Sequence, residues 1–224
     1  MWSTQQTPDF YIQALQTSPP PEIRKEVAKE VVERTLQLVE DMRYSPRWSE
    51  EFTEAEVNSW LAEEFTAMQA DPLFEGVRDP RIKISADVLH VAFRLDQDHI
   101  HGIVSCELKP RIGGPNRVDV AVNSVRVGIL PVPVNSLIDD IYGHFAVEGW
   151  RIRWYPIQRD TVIVNLDRGD PEQPILEELK LTADGRLRVA GSRRTLVHNL
   201  PPTNRRLPVQ RVAWSPPAGA SGRK

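Results

Sequence analysis

His99-Ile100-His101 is the one His-x-His in the chain. On a strand, residues two apart share a face, so both imidazoles could ligate one metal ion. Asp96 and Asp98 lie beside them, and a carboxylate could complete the site. Asp98, His99 and His101 are therefore the candidate metal ligands. The competing reading is a polar turn between two strands, which Asp96-Gln97-Asp98 favours. Cys106 is the only cysteine, so no intramolecular disulfide and no thiolate cage can form. It sits in an apolar alternating run with nothing nearby in sequence to lower its pKa, and reads as a buried, inert thiol. Asp139 and Asp140 would point in different directions on a helix, so they are no carboxylate dyad. Gly113-Gly114-Pro115 lacks the lysine of a phosphate loop and reads as a turn. Trp150, Arg151, Arg153, Trp154 and Tyr155 interleave base and aromatic, as stacking platforms for nucleic acid do. An acidic body would repel phosphate, so a sheet edge with Trp154 half-buried is the better account, and no nucleic-acid partner is expected. No catalytic residue and no cofactor follow from these motifs.

The elements that would position such residues fall into two regimes. Thr7-Pro8-Asp9 predicts a helix start, with Thr7 capping and Pro8 in the first turn, ending near Gln16. A long amphipathic helix follows over residues 21–42, with Ile23, Val27, Val31, Leu38 and Met42 on one face, widened by Leu36 and Val39. Its opposite face carries Arg24, Lys25, Lys29, Glu33 and Glu40. Thr53-Glu54-Ala55-Glu56 is a capping box opening a third helix, with the stripe Val57, Trp60, Leu61, Phe65 and Met68. From Pro80 the period changes to two. Alternating runs at Ile82 and Ile84, at 89–95, at 103–108 and at 118–127 predict an antiparallel meander. The last run slips phase near Asn123-Ser124, which predicts a bulge. Leu130-Pro131-Val132-Pro133 breaks the sheet, and Asn135 caps a helix through Val147 carrying Leu137, Ile138, Ile141, Tyr142 and Phe145. Strands follow at 151–155, 161–166, 176–181 and 186–190, with Asp184-Gly185 as a hairpin turn. The fold class expected is α+β: a curved antiparallel β-meander with N-terminal amphipathic helices and one inserted helix packed on the sheet.

The chain divides into an N-terminal helical segment (1–50), an α+β body (51–191) that forms one domain with it, and a basic, Pro-rich tail (192–224). The tail holds seven basic residues and no acidic one, so the formal charge of −3 conceals −10 on the rest. Its five prolines and few large apolar residues predict disorder. It could touch an anionic membrane surface. Residues 1–16 lack the basic and apolar regions of a signal peptide. No apolar run reaches the roughly 18–20 residues of a bilayer span.

Phe52-Thr53-Glu54-Ala55-Glu56-Val57-Asn58-Ser59-Trp60-Leu61 resembles a segment of YpmS-like bacterial proteins. So does Leu130-Pro131-Val132-Pro133 between a strand and a helix. The likeness spans about residues 52–141. It implies a membrane-anchored envelope protein with a curved sheet, comparable to tubular lipid-binding folds, and supplies no catalytic residues. This chain departs from the pattern in lacking the N-terminal anchor. Residues 6–15 resemble the juxtamembrane start of planctomycete-type proteins, which implies an anchor encoded upstream of Met1. The function expected is a non-enzymatic envelope domain that binds lipid or another apolar ligand. The alternative is a protein-interaction scaffold that docks through Val27, Val31 and Leu38. An enzyme of unrecognised type, using His99, His101 and Asp98, is the third reading.

Overall fold

The structure, a computed structural model, describes residues 7–68, 76–97, 100–132, 151–154, 160–166 and 173–193. Three helices, α1 (Asp9–Gln16), α2 (Pro21–Tyr44) and α3 (Glu54–Met68), accompany ten strands among them. The strands are β1 (Arg47–Thr53), β2 (Val77–Ser85), β3 (Val88–Gln97), β4 (Ile100–Gly114), β5 (Arg117–Val127), β6 (Leu130–Pro131), β7 (Arg151–Trp154), β8 (Thr161–Asn165), β9 (Pro174–Leu181) and β10 (Arg186–Arg193). The fold is α+β, and its main sheet is the expected antiparallel meander. It runs β2-β3-β4-β5-β8-β7, with β6 folded back on β5. A second sheet, β1-β10-β9, packs beside it. The inserted helix expected at 135–147 lies outside the described residues, as does the chain beyond Arg193.

The long alternating runs become strands because their apolar positions share one face. Ile82 and Ile84 on β2 pack with Leu181 of β9, under Val57 and Leu61 of α3. Leu95, Val104 and Val125 form a second cluster, joined by Phe93, Cys106 and Val127. The predicted bulge is present. Glu107 pairs with Ser124 and Leu108 with Val122, so Asn123 is the extra residue. The edge of β2 is satisfied by side chains of α3. Asn58 accepts from the Ile82 N–H at 2.8 Å and donates to its carbonyl at 2.9 Å, and Glu54 accepts from the Ile84 N–H at 2.7 Å. An exposed strand edge is thereby closed to further pairing.

Several expectations need correction. Pro8 is the N-cap of α1, extended at φ −56°, ψ 136°, and Thr7 does not cap. Proline's fixed φ suits either position, so the sequence leaves the start open by one residue. The packed face of α2 is centred on Ala28 and Val31, while Ile23 (53% exposed) and Leu36 (62%) leave the stripe. Arg24 and Arg34 lie on the packed side instead, because carboxylates wait there: Arg24 pairs with Glu63 of α3, and Arg34 with Glu50 and Glu56, each at 2.6 Å. Strand β1 is not predicted by its own sequence, and it crosses the 50/51 boundary. Leu130-Pro131 does not break the sheet; it turns back onto β5, with Arg126 opposite Pro131 and Val127 opposite Leu130. Strand β10 continues to Arg193, whose N–H bonds the Pro46 carbonyl at 3.1 Å.

Candidate functional site

Strand alternation and register place two sets of side chains on opposite faces of β3-β4-β5. Val91, Cys106 and Val125 share a cross-strand row on the apolar face. One residue along, His90, Glu107 and Ser124 form a row on the other face, and Ala92, Ser105 and Arg126 form the next. The bulge at Asn123 is what turns Ser124 and Arg126 to this polar face while keeping Val125 and Val127 in the core. Helix α1 lies across the polar face at β2 and β3. Tyr11 and Ala92 are fully buried beneath it, and the Phe10 ring sits 5.6 Å from that of His90.

Between the start of α1 and this face lies a cleft of about 530 Å³. Thr7, Pro8, Asp9 and Phe10 form one wall, His90, Ser105, Glu107, Ser124 and Arg126 the floor, and Gly128 and Ile129 the far rim. The volume is that of a small-molecule site, and polar groups converge on it. His90 Nδ1 lies 3.8 Å from Glu107 Oε1, an ion-pair separation rather than a hydrogen bond. Glu107 stands between His90 and Ser124 in the register, which puts two strand spacings, roughly 10 Å, between base and hydroxyl. A nucleophile and its base need about 3 Å, so this row is no Ser-His-acid triad. The Cys106 side chain packs with the apolar cluster behind the cleft. Burial, helped by the neighbouring Glu107 charge, pushes its thiol up to about 11, as an inert thiol requires.

Of the sequence-derived metal candidates, His101 alone lies among the described residues. His101 is on β4, exposed, with Nδ1 2.5 Å from Asp96 Oδ1 on β3. Asp96 also faces Arg78 at 3.8 Å. Asp98 and His99 lie outside the described residues. Among the described residues no group of three or more His, Cys, Asp or Glu side chains could hold a metal ion. Of the basic-aromatic run, Arg151 to Trp154 form β7 at the sheet edge, opposite β8, and Trp150 and Tyr155 fall outside. Gly113 and Gly114 are the last residues of β4 and the turn falls one step later, at Pro115-Asn116, so no phosphate loop is formed by these glycines. A Cβ on Gly113 would lie 2.5 Å from the Asp119 carboxylate, which is buried and bound by Arg117 at 2.7 and 3.2 Å.

The cleft residues carry no local motif. Their only sequence signal is that they occupy the polar positions of three alternating runs, and it needs the strand register to be read. Compared with protein-family models, curated proteins and solved structures, the chain matches none.

Proposed function

We propose that this chain is a non-catalytic binding domain whose ligand enters the cleft between α1 and the polar face of β3-β4-β5. The observation that carries the proposal is the convergence of His90, Ser105, Glu107, Ser124 and Arg126 on one open cavity of small-molecule size. The wall groups include both signs of charge, so the ligand is polar and carries both donor and acceptor groups. A lipid or other apolar ligand is the poorer match. An acyl chain in this cleft would strand Glu107 and Arg126 without water, at a cost of roughly 1–3 kcal/mol per unpaired polar group. A lipid would be held there by its headgroup. The non-catalytic reading is supported by the His90–Glu107–Ser124 order and by the un-ionised Cys106. The envelope setting in this proposal comes from the resemblance of residues 52–61 and 130–133.

The scaffold reading has support of a different kind. Val31 is buried in the protein's own core, but α2 leaves Leu36, Val39 and Tyr44 exposed. Native mass spectrometry of the gently purified protein reads both. A bound small-molecule mass that disappears in Ser124→Trp, which fills the cleft, supports the cleft. A second protein chain that disappears in Leu36→Asp and persists in Ser124→Trp sinks it in favour of the scaffold.

A further inference from the structure

Charge is distributed unevenly between the two sides of the main sheet. Residues 21–68, which build α2, β1 and α3, hold twelve acidic and six basic residues. Residues 77–127, which build β2 to β5, hold eight basic and six acidic ones. Helix α3 packs on the apolar side at the β2 edge, with α2 against it, so the acidic layer lies at that edge and on that side of the sheet. On the other side, the polar face presents Lys83, Arg94, Lys109 and Arg126, all exposed. Register and alternation set them on the same face as His90: Lys83 is its partner on β2, Arg94 is four residues further along β3, Lys109 is two residues from Glu107, and Arg126 is in the adjacent row. None of the four is ion-paired among the described residues, whereas Asp119 is held by Arg117, Asp96 by His101, and Glu107 stands beside His90. Asp9 and Asp79 add two exposed carboxylates near α1, fewer than the four cations.

The same side also exposes aliphatic side chains in two places. The outer surface of α1 carries Ile12 and Leu15, at 40% and 38% exposed. The β5-β6 hairpin tip carries Ile129 and Leu130, at 50% and 56%. The tip and the start of α1 border the same cleft, so the aliphatic groups flank the basic face instead of being scattered over the molecule.

We propose that this face docks peripherally on an anionic lipid bilayer, with Lys83, Arg94, Lys109 and Arg126 meeting the headgroups and Ile12, Leu15, Ile129 and Leu130 entering the interface. Unpaired cations gain most beside an anionic surface, and exposed aliphatic groups gain most by leaving water at its boundary. The acidic helical layer is repelled and sets the orientation. Nucleic acid fits less well, because among the described residues Phe10 at the cleft wall is the accessible aromatic ring near these cations, Tyr11 being buried, and base stacking needs more. The inference holds whether or not the cleft takes a ligand, and it does not use the tail.

The test is sedimentation of the full chain with phosphatidylglycerol-phosphatidylcholine vesicles. Binding is expected there and not with phosphatidylcholine alone, and it should weaken steeply with added salt. Arg94→Glu combined with Lys109→Glu should lower binding at least about tenfold, and Ile129→Ser combined with Leu130→Ser should lower it several-fold. The control Lys25→Glu, on α2, should leave it near wild type. Melting temperatures establish that each variant is folded, and the salt titration of the wild-type chain stands if one is not. Equal loss in the control, or no loss in the sheet variants, overturns the proposal and leaves the tail as the contact. Tighter binding to duplex DNA than to the vesicles overturns it in favour of nucleic acid.

Discussion

Tyr11 is one of the best-buried side chains, yet among the described residues its hydroxyl has no hydrogen-bond partner, and neither has Arg81 Nε. Both lie under α1, where Arg81 keeps one bond, to the Pro80 carbonyl at 2.7 Å. Burial raises the Tyr11 phenol, with Asp79 adding to the shift and Arg81 and Arg94 opposing it. Burial lowers the Arg81 guanidinium, against Asp79 and Tyr11. A buried hydroxyl without a partner contributes its ring and costs its desolvation. Tyr11→Phe is therefore expected to leave the stability unchanged or to raise it by up to about 1 kcal/mol. Tyr11→Ala, which also removes the buried ring, should cost roughly 3–5 kcal/mol, as truncating a large aromatic does. Chemical denaturation of the two variants reads the difference. A clear loss in Tyr11→Phe would mean that the hydroxyl is bonded after all.

At the scale of elements, the capping box at the start of α3 carries more than a cap. Glu56 N–H donates to Thr53 Oγ1 at 3.2 Å, and Thr53 N–H donates to Glu56 Oε2 at 2.6 Å. The other oxygen of Glu56 receives Arg34 from α2, and Arg34 also reaches Glu50 and the Glu51 carbonyl on β1 and stacks 4.9 Å over the Phe52 ring. One carboxylate thus joins three elements. Burial raises the Glu56 carboxyl, but the two Thr53 hydrogen bonds and Arg34 outweigh it and hold it below its ordinary value. A depressed folded-state value stabilises above the unfolded one and is lost as the pH falls through it. The stability gap between wild type and Glu56→Gln should accordingly be full near pH 6 and close below about pH 4.5. Thr53→Ala should cost about 1 kcal/mol near pH 6, and part of that cost should vanish at low pH, because the Thr53 hydroxyl is one of the donors that hold the Glu56 carboxyl down. A gap that stays constant down to pH 3, read by denaturant titration at each pH, would refute the linkage.

This box was legible in the sequence because it is local, and so were the alternating strands and the Asn123 bulge. The face of α2 was not, because Arg24 reads as solvent-facing until Glu63 is placed opposite it, and Ile23 and Leu36 read as core. Strand β1 was not either: Arg-Trp-Ser-Glu-Glu-Phe-Thr is mostly polar, and its pairing partner lies some 140 residues away on β10. The cleft was invisible for the same reason, since its floor comes from three runs whose register no single run encodes.

On the scale of the whole molecule, two fastenings join the parts. Asn116, in the β4-β5 turn at φ 53°, donates to the Pro174 carbonyl at 3.0 Å and accepts from the Leu176 N–H at 2.8 Å, tying the main sheet to β9. The β1-β10 pairing ties the region between α2 and α3 to the last described strand, with Trp48 opposite Gly191. The register of β10 against β9 shifts at Ala190/Gly191, and a Cβ built on Gly191 would collide with the Ile175 carbonyl oxygen and the Trp48 indole. Trp48 is buried and the Ile175 oxygen is backbone, so neither can yield cheaply. Gly191→Ala should therefore destabilise the fold by roughly 1–3 kcal/mol or more, the cost of overpacking, even though it adds one methyl. Because β1 and β10 hold distant parts of the chain together, the loss should appear in the whole molecule. Far- and near-ultraviolet circular dichroism should still report coincident urea transitions, both moved to a lower midpoint. If the near-ultraviolet signal alone moves and the far-ultraviolet transition stays in place, the three-stranded sheet unfolds as a separate unit and the two sheets are not one cooperative domain. If neither moves, the close approach of Gly191 to Trp48 is not a feature of the folded protein in solution.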